Sequence, residues 1–342
     1  MRQVTMTIKV LGIDLGKRYF HIHGVDSNGT LVTRKKFKRK ELLLFLSNLE
    51  PCLIGMEACG GAHYLARKCA EFGHEPKLMA ARFVKPYVKS NKNDFLDAEA
   101  ICEAVQRPSM RFVTPRSQDQ QALGALVKVR EALVRRRNVV SNQIHGFMLE
   151  FGIEYPKGRK TVLRLREITA QHEGELPASM VVLLYRLEEE FRTLVAQIVD
   201  VEDDMQSIVL ADDRGARLLE MPGVGLITAA CLLAWVGDAK HFRSGRDLAA
   251  WIGLVPKQSS TGGKTTLIGI GKRGNTRLRC NLIHGARSAL QWHIDKPSRW
   301  SSWAQSLKAT KKPNVVAVAM ANKMARMIWV ILARNEKYQA FA

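Results

Sequence analysis

Acidic residues are in short supply in this 342-residue chain: 32 Asp and Glu stand against 53 Lys and Arg, a formal net charge of +21. An imbalance of that size exceeds what solubility requires and points to a polyanionic partner. Cys-x-x-Cys pairs and regular cysteine spacings are missing, which speaks against a thiolate metal site or a disulfide framework. The six cysteines, several in apolar runs such as PCLIG and AACLLAW, read as small hydrophobes of a reduced, cytoplasmic protein. The first residues lack a signal-peptide core and lead almost at once into a strand. No long apolar run is free of charge either. The longest, 315–333, contains Lys323 and Arg326, a poor membrane span and a reasonable buried helix. The basic residues are spread along the chain and not gathered beside such a run, so nucleic acid, and no membrane, is the expected partner.

The chain falls into three parts. In residues 1–115 the β-rich runs IKVLGID, YFHIHGVD and LVTRKKF precede a helical stretch at 39–49, the strand CLIGM, a helix at 62–72 and a short run at 75–79. That order predicts an α/β domain with a mixed sheet and helices on its faces. Residues 116–212 carry the clearest periodicity. Met180, Leu184, Leu187, Phe191, Leu194, Ile198, Val201, Met205 and Ile208 recur in 4,3 steps, and 123–151 steps in the same way with Arg130 and Arg137 on its seam. Two seams, one flanked by Arg135–Arg137 and the other by Glu188–Glu190, predict a coiled-coil hairpin, an intermolecular coiled coil or a plain packed pair. Residues 213–342 read as mainly α and glycine-punctuated, closing with a helix from about Val315 to Glu336.

Four carboxylates stand at element ends in the first part. Asp14 ends the first strand, Glu57 ends a later one, and Asp94 and Asp97 share one face where a helix begins. Hard oxygen ligands of this kind suit magnesium or manganese, and a two-ion site can clamp both oxygens of a phosphodiester displacement. Each acid alone is as readily a turn or cap residue.

Further on, QSSTGGK puts serines beside Gly262 and Gly263, a pair that permits a tight turn. Lys264, Lys272, Arg273, Arg277 and Arg279 cluster around it and would face a nucleic-acid backbone. A phosphate-binding turn and a serine nucleophile both fit these residues. Gly223 and Gly225, in MPGVGL, are similar to a helix-hairpin-helix turn whose amides contact DNA phosphate, or form a plain inter-helix turn. The run RKKFKRK, 34–40, is a nucleic-acid surface or a solvated strand edge.

GIDLGK, MEACGG and NKNDFLDAEAI together resemble the first domain of the DEDD transposases of the insertion-sequence one-ten family, which includes the Piv DNA invertase. That domain is similar to the RNase H-like fold of RuvC-type resolvases. The serine segment resembles the same family's second domain, in which an S-[ST]-G-G-K pattern carries a nucleophile. The resemblance implies that Asp14, Glu57, Asp94 and Asp97 bind Mg2+ or Mn2+, and that Ser260 forms a transient phosphoserine link; Ser259 and Thr261 adjoin it. It also implies donor and target DNA as substrates, a non-coding bridge RNA as guide, and a homo-oligomer, dimer or tetramer, that unites the two centres. A metal-dependent Holliday-junction-type nuclease and a non-catalytic nucleic-acid-binding protein are the rival readings.

Overall fold

The computed structural model describes residues 7–89, 93–271, 273–292, 294 and 299–339. It divides into two compact units, Met1–Ser117 and Gln118–Ala342. The helical middle and the C-terminal part thus fall in one unit.

Unit one begins with β1 (Val10–Leu15), β2 (Tyr19–Val25) and β3 (Leu31–Lys38), then α1 (Arg39–Ser47), β4 (Leu53–Glu57), α2 (Ala62–Glu71) and β5 (Glu75–Met79). It ends with the short helix α3 (Ala81–Val84), a single 3-10 turn (Lys85–Tyr87), α4 (Asp94–Val105) and β6 (Phe112–Val113). The six strands form one sheet in the order β3-β2-β1-β4-β5-β6. The first three strands pair antiparallel, β1 with β4 and β4 with β5 parallel, and β6 antiparallel to β5. Strands in the middle of a sheet are covered on both faces, so β1 (VLGIDL) and β4 (LIGME) are largely apolar, while β5 (EPKLM) is polar at its start. Leu11, Ile13, Ile54 and Met56 are accordingly fully buried, each stabilising the unit by roughly 1.5–3 kcal/mol.

Two glycines set the position of α4. A Cβ on Gly12 of β1 would overlap the Ala98 carbonyl oxygen and the Cys102 backbone nitrogen, and one on Gly55 of β4 would lie 2.8 Å from the Val105 Cβ. Without side chains there, α4 lies directly on the sheet. Its N-terminal turn is thereby brought to the strand ends that carry Asp14 and Glu57.

Unit two opens with two long helices, α5 (Gln118–Glu150) and α8 (Ala178–Ala211), which pack on each other and are separated by short α6 (Arg159–Val162) and α7 (Leu165–Gln171). Leu133, Val140 and Ile144 of α5 and Leu184, Phe191, Leu194 and Ile198 of α8 form one buried cluster. Of the two seam arginines, Arg130 meets an acid, Glu202 of α8, at 2.5 Å, and Arg137 hydrogen-bonds Asn138. The acids expected opposite Arg135–Arg137 divide. Glu190 stands 3.9 Å from Arg136, while Glu188 turns inward to Arg166 and Arg192 and is fully buried.

The rest of the unit is α9 (Asp213–Leu219), α10 (Leu226–Trp235), α11 (Gly245–Ile252), a two-stranded hairpin of β7 (Pro256–Thr261) and β8 (Lys264–Ile270), then α12 (Thr276–Trp292), α13 (Arg299–Thr310) and α14 (Pro313–Arg334). By length and composition α14 is apolar enough to cross a membrane. It also contains Lys323 and Arg326, and buries Val316, Met320, Met324 and Ile328 in the unit's core. It is built as a core helix.

Candidate active site

Asp14 and Glu57 leave the sheet at the ends of β1 and β4, and Asp94 and Asp97 occupy the first turn of α4. Asn93 caps that helix by accepting a hydrogen bond from the Phe95 backbone N–H at 3.0 Å. Negative charge is favoured there, because unpaired backbone N–H groups give a helix N-terminus partial positive character. The two strand-end acids respond to their neighbours. Burial holds the Asp14 carboxyl above the ordinary aspartate range, and the charges of Asp97 and Asp94 push it further. Glu57 is raised by burial and then by Asp14 and Asp97. The Cys59 thiol beside them is raised by burial, Glu57 and Asp14.

Like charges gathered at a half-buried point are unstable without a cation, and an all-oxygen donor set is what a hard divalent ion takes. Among the described residues, no three acidic, imidazole or thiol groups close into a formed metal cage. The donor chemistry fits a divalent ion; closing the cage needs side-chain movement.

A residue that the sequence reading passed over lies against this cluster. His21 of β2 is the register partner of Asp14, and its Nδ1 stands 3.6 Å from Asp94 Oδ2. A lone histidine in a strand carries no motif, so only the pairing of β1 with β2 reveals it.

In unit two, Gly262 and Gly263 adopt φ values of +57° and +76° and form the two-residue turn of the β7–β8 hairpin, with Thr261 paired to Lys264. Two consecutive positive φ angles match the right-handed twist of a tight hairpin, and glycine adopts them without strain. Ser260 is exposed on β7, and its Oγ accepts a hydrogen bond from Gln258 Nε2 at 2.9 Å.

The fold separates the basic cluster. Lys264 and Arg273 are exposed, and Lys272 lies outside the described residues. Arg277 pairs with Glu131 and packs over Trp235. Arg279 is buried, donating to the Ile252 carbonyl at 3.0 Å and to Thr276 Oγ1 at 3.1 Å. The expectation that all five face a nucleic acid is therefore corrected for Arg277 and Arg279, whose guanidiniums are held by the chain itself.

Gly223 and Gly225 line a cleft of about 740 Å3 together with Arg130, Asn281, His284 and Ser288. Gly225 caps α10, and a Cβ added to it would meet open space. Gly223, at φ +84°, presses on the backbone of Gly285.

Two family models match the chain. A DEDD-type IS110 transposase domain covers residues 11–153, spanning all four acids, and the transposase IS116/IS110/IS902 family covers 215–300, spanning Ser260. The chain belongs to this transposase family. Its members are enzymes acting on DNA, and the DEDD domain points to a divalent-metal requirement. The transposase for insertion sequence element IS1328 of Yersinia enterocolitica is 48% identical over 328 residues, 96% of this chain and 98% of that protein. A probable family 20 transposase of Pseudomonas aeruginosa is 46% identical over 336 residues, covering 98% and 99% of the two chains. The transposase for IS1111A of Coxiella burnetii is 39% identical over 342 residues, covering 100% and 94%.

Proposed function

We propose that this transposase exchanges DNA strands through a serine-linked intermediate, with Asp14, Glu57, Asp94 and Asp97 holding Mg2+ or Mn2+. The observation that carries this reading is the convergence of acids from two strand ends and one helix start, where Asp94 and Asp97 repel charge on Asp14, and Asp14 and Asp97 repel charge on Glu57. A divalent ion there would neutralise charge on a phosphodiester and orient it. The strand order, with an antiparallel meander followed by parallel strands, supports an RNase H-like, RuvC-like first domain over 1–115. Residues 116–212 serve as the helical, coiled-coil-like hairpin that joins protomers in a dimer or tetramer, and 213–342 carry the serine.

In the reaction, Ser260 Oγ attacks phosphorus, a P–Oγ bond forms and the P–O bond to one DNA strand breaks. The departing oxygen takes up a proton while the serine proton is lost to an acceptor. Gln258 donates to Oγ and so directs the hydroxyl proton elsewhere. Lys264 and Arg273 hold the DNA backbone, and the amides at Gly223 and Gly225 contact phosphate. A bridge RNA pairing with donor and target DNA selects the sites; the net charge of +21 supports a large polyanionic assembly of this kind.

The test is denaturing electrophoresis after incubation with guide RNA and labelled donor and target DNA. A protein–DNA adduct is expected from the wild type and from neither Ser260→Ala nor Asp14→Asn. Strand exchange by Ser260→Ala would remove the serine from the mechanism. Hydrolysis without any adduct would favour a junction nuclease.

A further inference from the structure

We propose that His21 is a positioning residue for the carboxylate cluster: its Nδ1–H holds Asp94, and with it the first turn of α4, in the orientation that receives a divalent cation. The inference rests on the metal-binding reading of the four acids and assigns a role to a side chain outside them.

Strand alternation places His21 and His23 on one face of β2, the face that packs against α4. His21 is 6% exposed, and its Nδ1 is buried without a hydrogen-bond partner. Buried polar atoms are nearly always satisfied, so an orphan aimed at an acceptor marks an interaction that a small movement completes. The acceptor is Asp94 Oδ2 at 3.6 Å. The imidazole cannot easily move toward it, because the ring meets Phe95 edge-on at 4.6 Å, and Arg34 covers Phe95 at 4.8 Å. Asp94 can move, since its side chain is 59% exposed. A shift of a few tenths of an ångström brings Oδ2 into hydrogen-bonding range. One carboxylate oxygen is then fixed by His21 and the other is left to ligate; Asp14 sits opposite His21 in the β1–β2 register and feels the charge of Asp94. Outer residues that orient ligating carboxylates in this way commonly set metal affinity.

The experiment is a Mn2+ titration of the full-length protein without nucleic acid, read by calorimetry. The wild type should bind saturably and Asp14→Asn should lose most of that affinity. His21→Ala should weaken the dissociation constant about 10-fold or more. His21→Asn puts an amide N–H where Nδ1 stands and should recover most of the loss. His21→Gln reaches the Nε2 position instead and should not. A space-filling role would lower thermal stability without separating Asn from Gln in affinity. Should His21→Ala fail to fold, the Asn and Gln variants decide alone. Equal affinities for Asn and Gln, or wild-type affinity in His21→Ala, would overturn the proposal while leaving the acids' role standing. Indifference of Mn2+ binding to Asp14→Asn would overturn both.

Discussion

Gly223 and Gly285 meet backbone to backbone: a Cβ on either would overlap the other's carbonyl oxygen. This crossing seats the MPGVG turn on α12, and neither residue tolerates a side chain. Gly223→Ala and Gly285→Ala should each destabilise unit two by about 1–3 kcal/mol, as overpacking of a close contact does. Gly225→Ala, whose added Cβ meets nothing within 4 Å, should fold normally. Chemical denaturation of the three variants checks the contrast.

Asp14→Asn should raise the melting temperature of the metal-free protein at neutral pH. The sign follows from the raised Asp14 and Glu57 pKa values. An acid whose pKa rises on folding imposes no penalty below its unfolded value. The penalty grows as pH climbs toward the folded value and is complete above it. Metal-free stability should therefore fall over that interval in the wild type, and less so in the variant. Thermal scans at several pH values, with and without Mg2+, measure it; the ion should stabilise the wild type more.

Cys59 is an electrostatic reporter of the same cluster. Its thiol is raised by burial and by the charges of Glu57 and Asp14, so little thiolate forms at neutral pH. In a Cys280→Ser background, which removes the other exposed cysteine, alkylation of Cys59 should be slow and should accelerate in Glu57→Gln. An unchanged rate, followed by mass spectrometry, would disconnect the thiol from the acids.

Glu188 accepts from Arg166 at 2.9 Å and Arg192 at 2.7 Å while fully buried itself. Both arginines reach solvent, so removing the carboxylate frees them to hydrate. Glu188→Ala should cost about 1–3 kcal/mol by urea denaturation. Glu188→Gln, which keeps one acceptor, should cost less.

The basic residues around the hairpin should separate by phenotype. Lys264→Ala and Arg273→Ala should weaken DNA binding and lower the dependence of log affinity on log salt by about one each, with melting unchanged. Arg279→Lys should lower the melting temperature, because a single ammonium cannot reproduce the two bonds to Ile252 and Thr276.

Most of unit one was legible in the sequence. Most of its strands are apolar runs bounded by turn residues, and β1 to β5 lie within a residue or two of expectation. The hairpin β7–β8 was not, although its Gly-Gly turn was visible. Lys257-Gln258-Ser259-Ser260-Thr261 is polar on both faces, and without a buried face there is no alternation to read. Arg277 and Arg279 misled for a related reason, since charge says nothing of burial until the packing of α12 is known. The acids were found as strand-end and helix-start residues, while Gly12 and Gly55, which let α4 reach them, gave no signal apart from the fold.

The two-residue turn also sets which hydroxyls share a side of the ribbon. With Thr261 locked opposite Lys264, Ser259 and Ser260 project from opposite sides of the ribbon, and only Ser260 shares its side with Gln258. Sliding the chain by one position would invert every side chain from Lys257 onward. Inserting one residue at the tip would leave the alternation of β7 intact and shift β8 by one position, so that the opposite set of β8 side chains, from Lys264 onward, would flank Ser260.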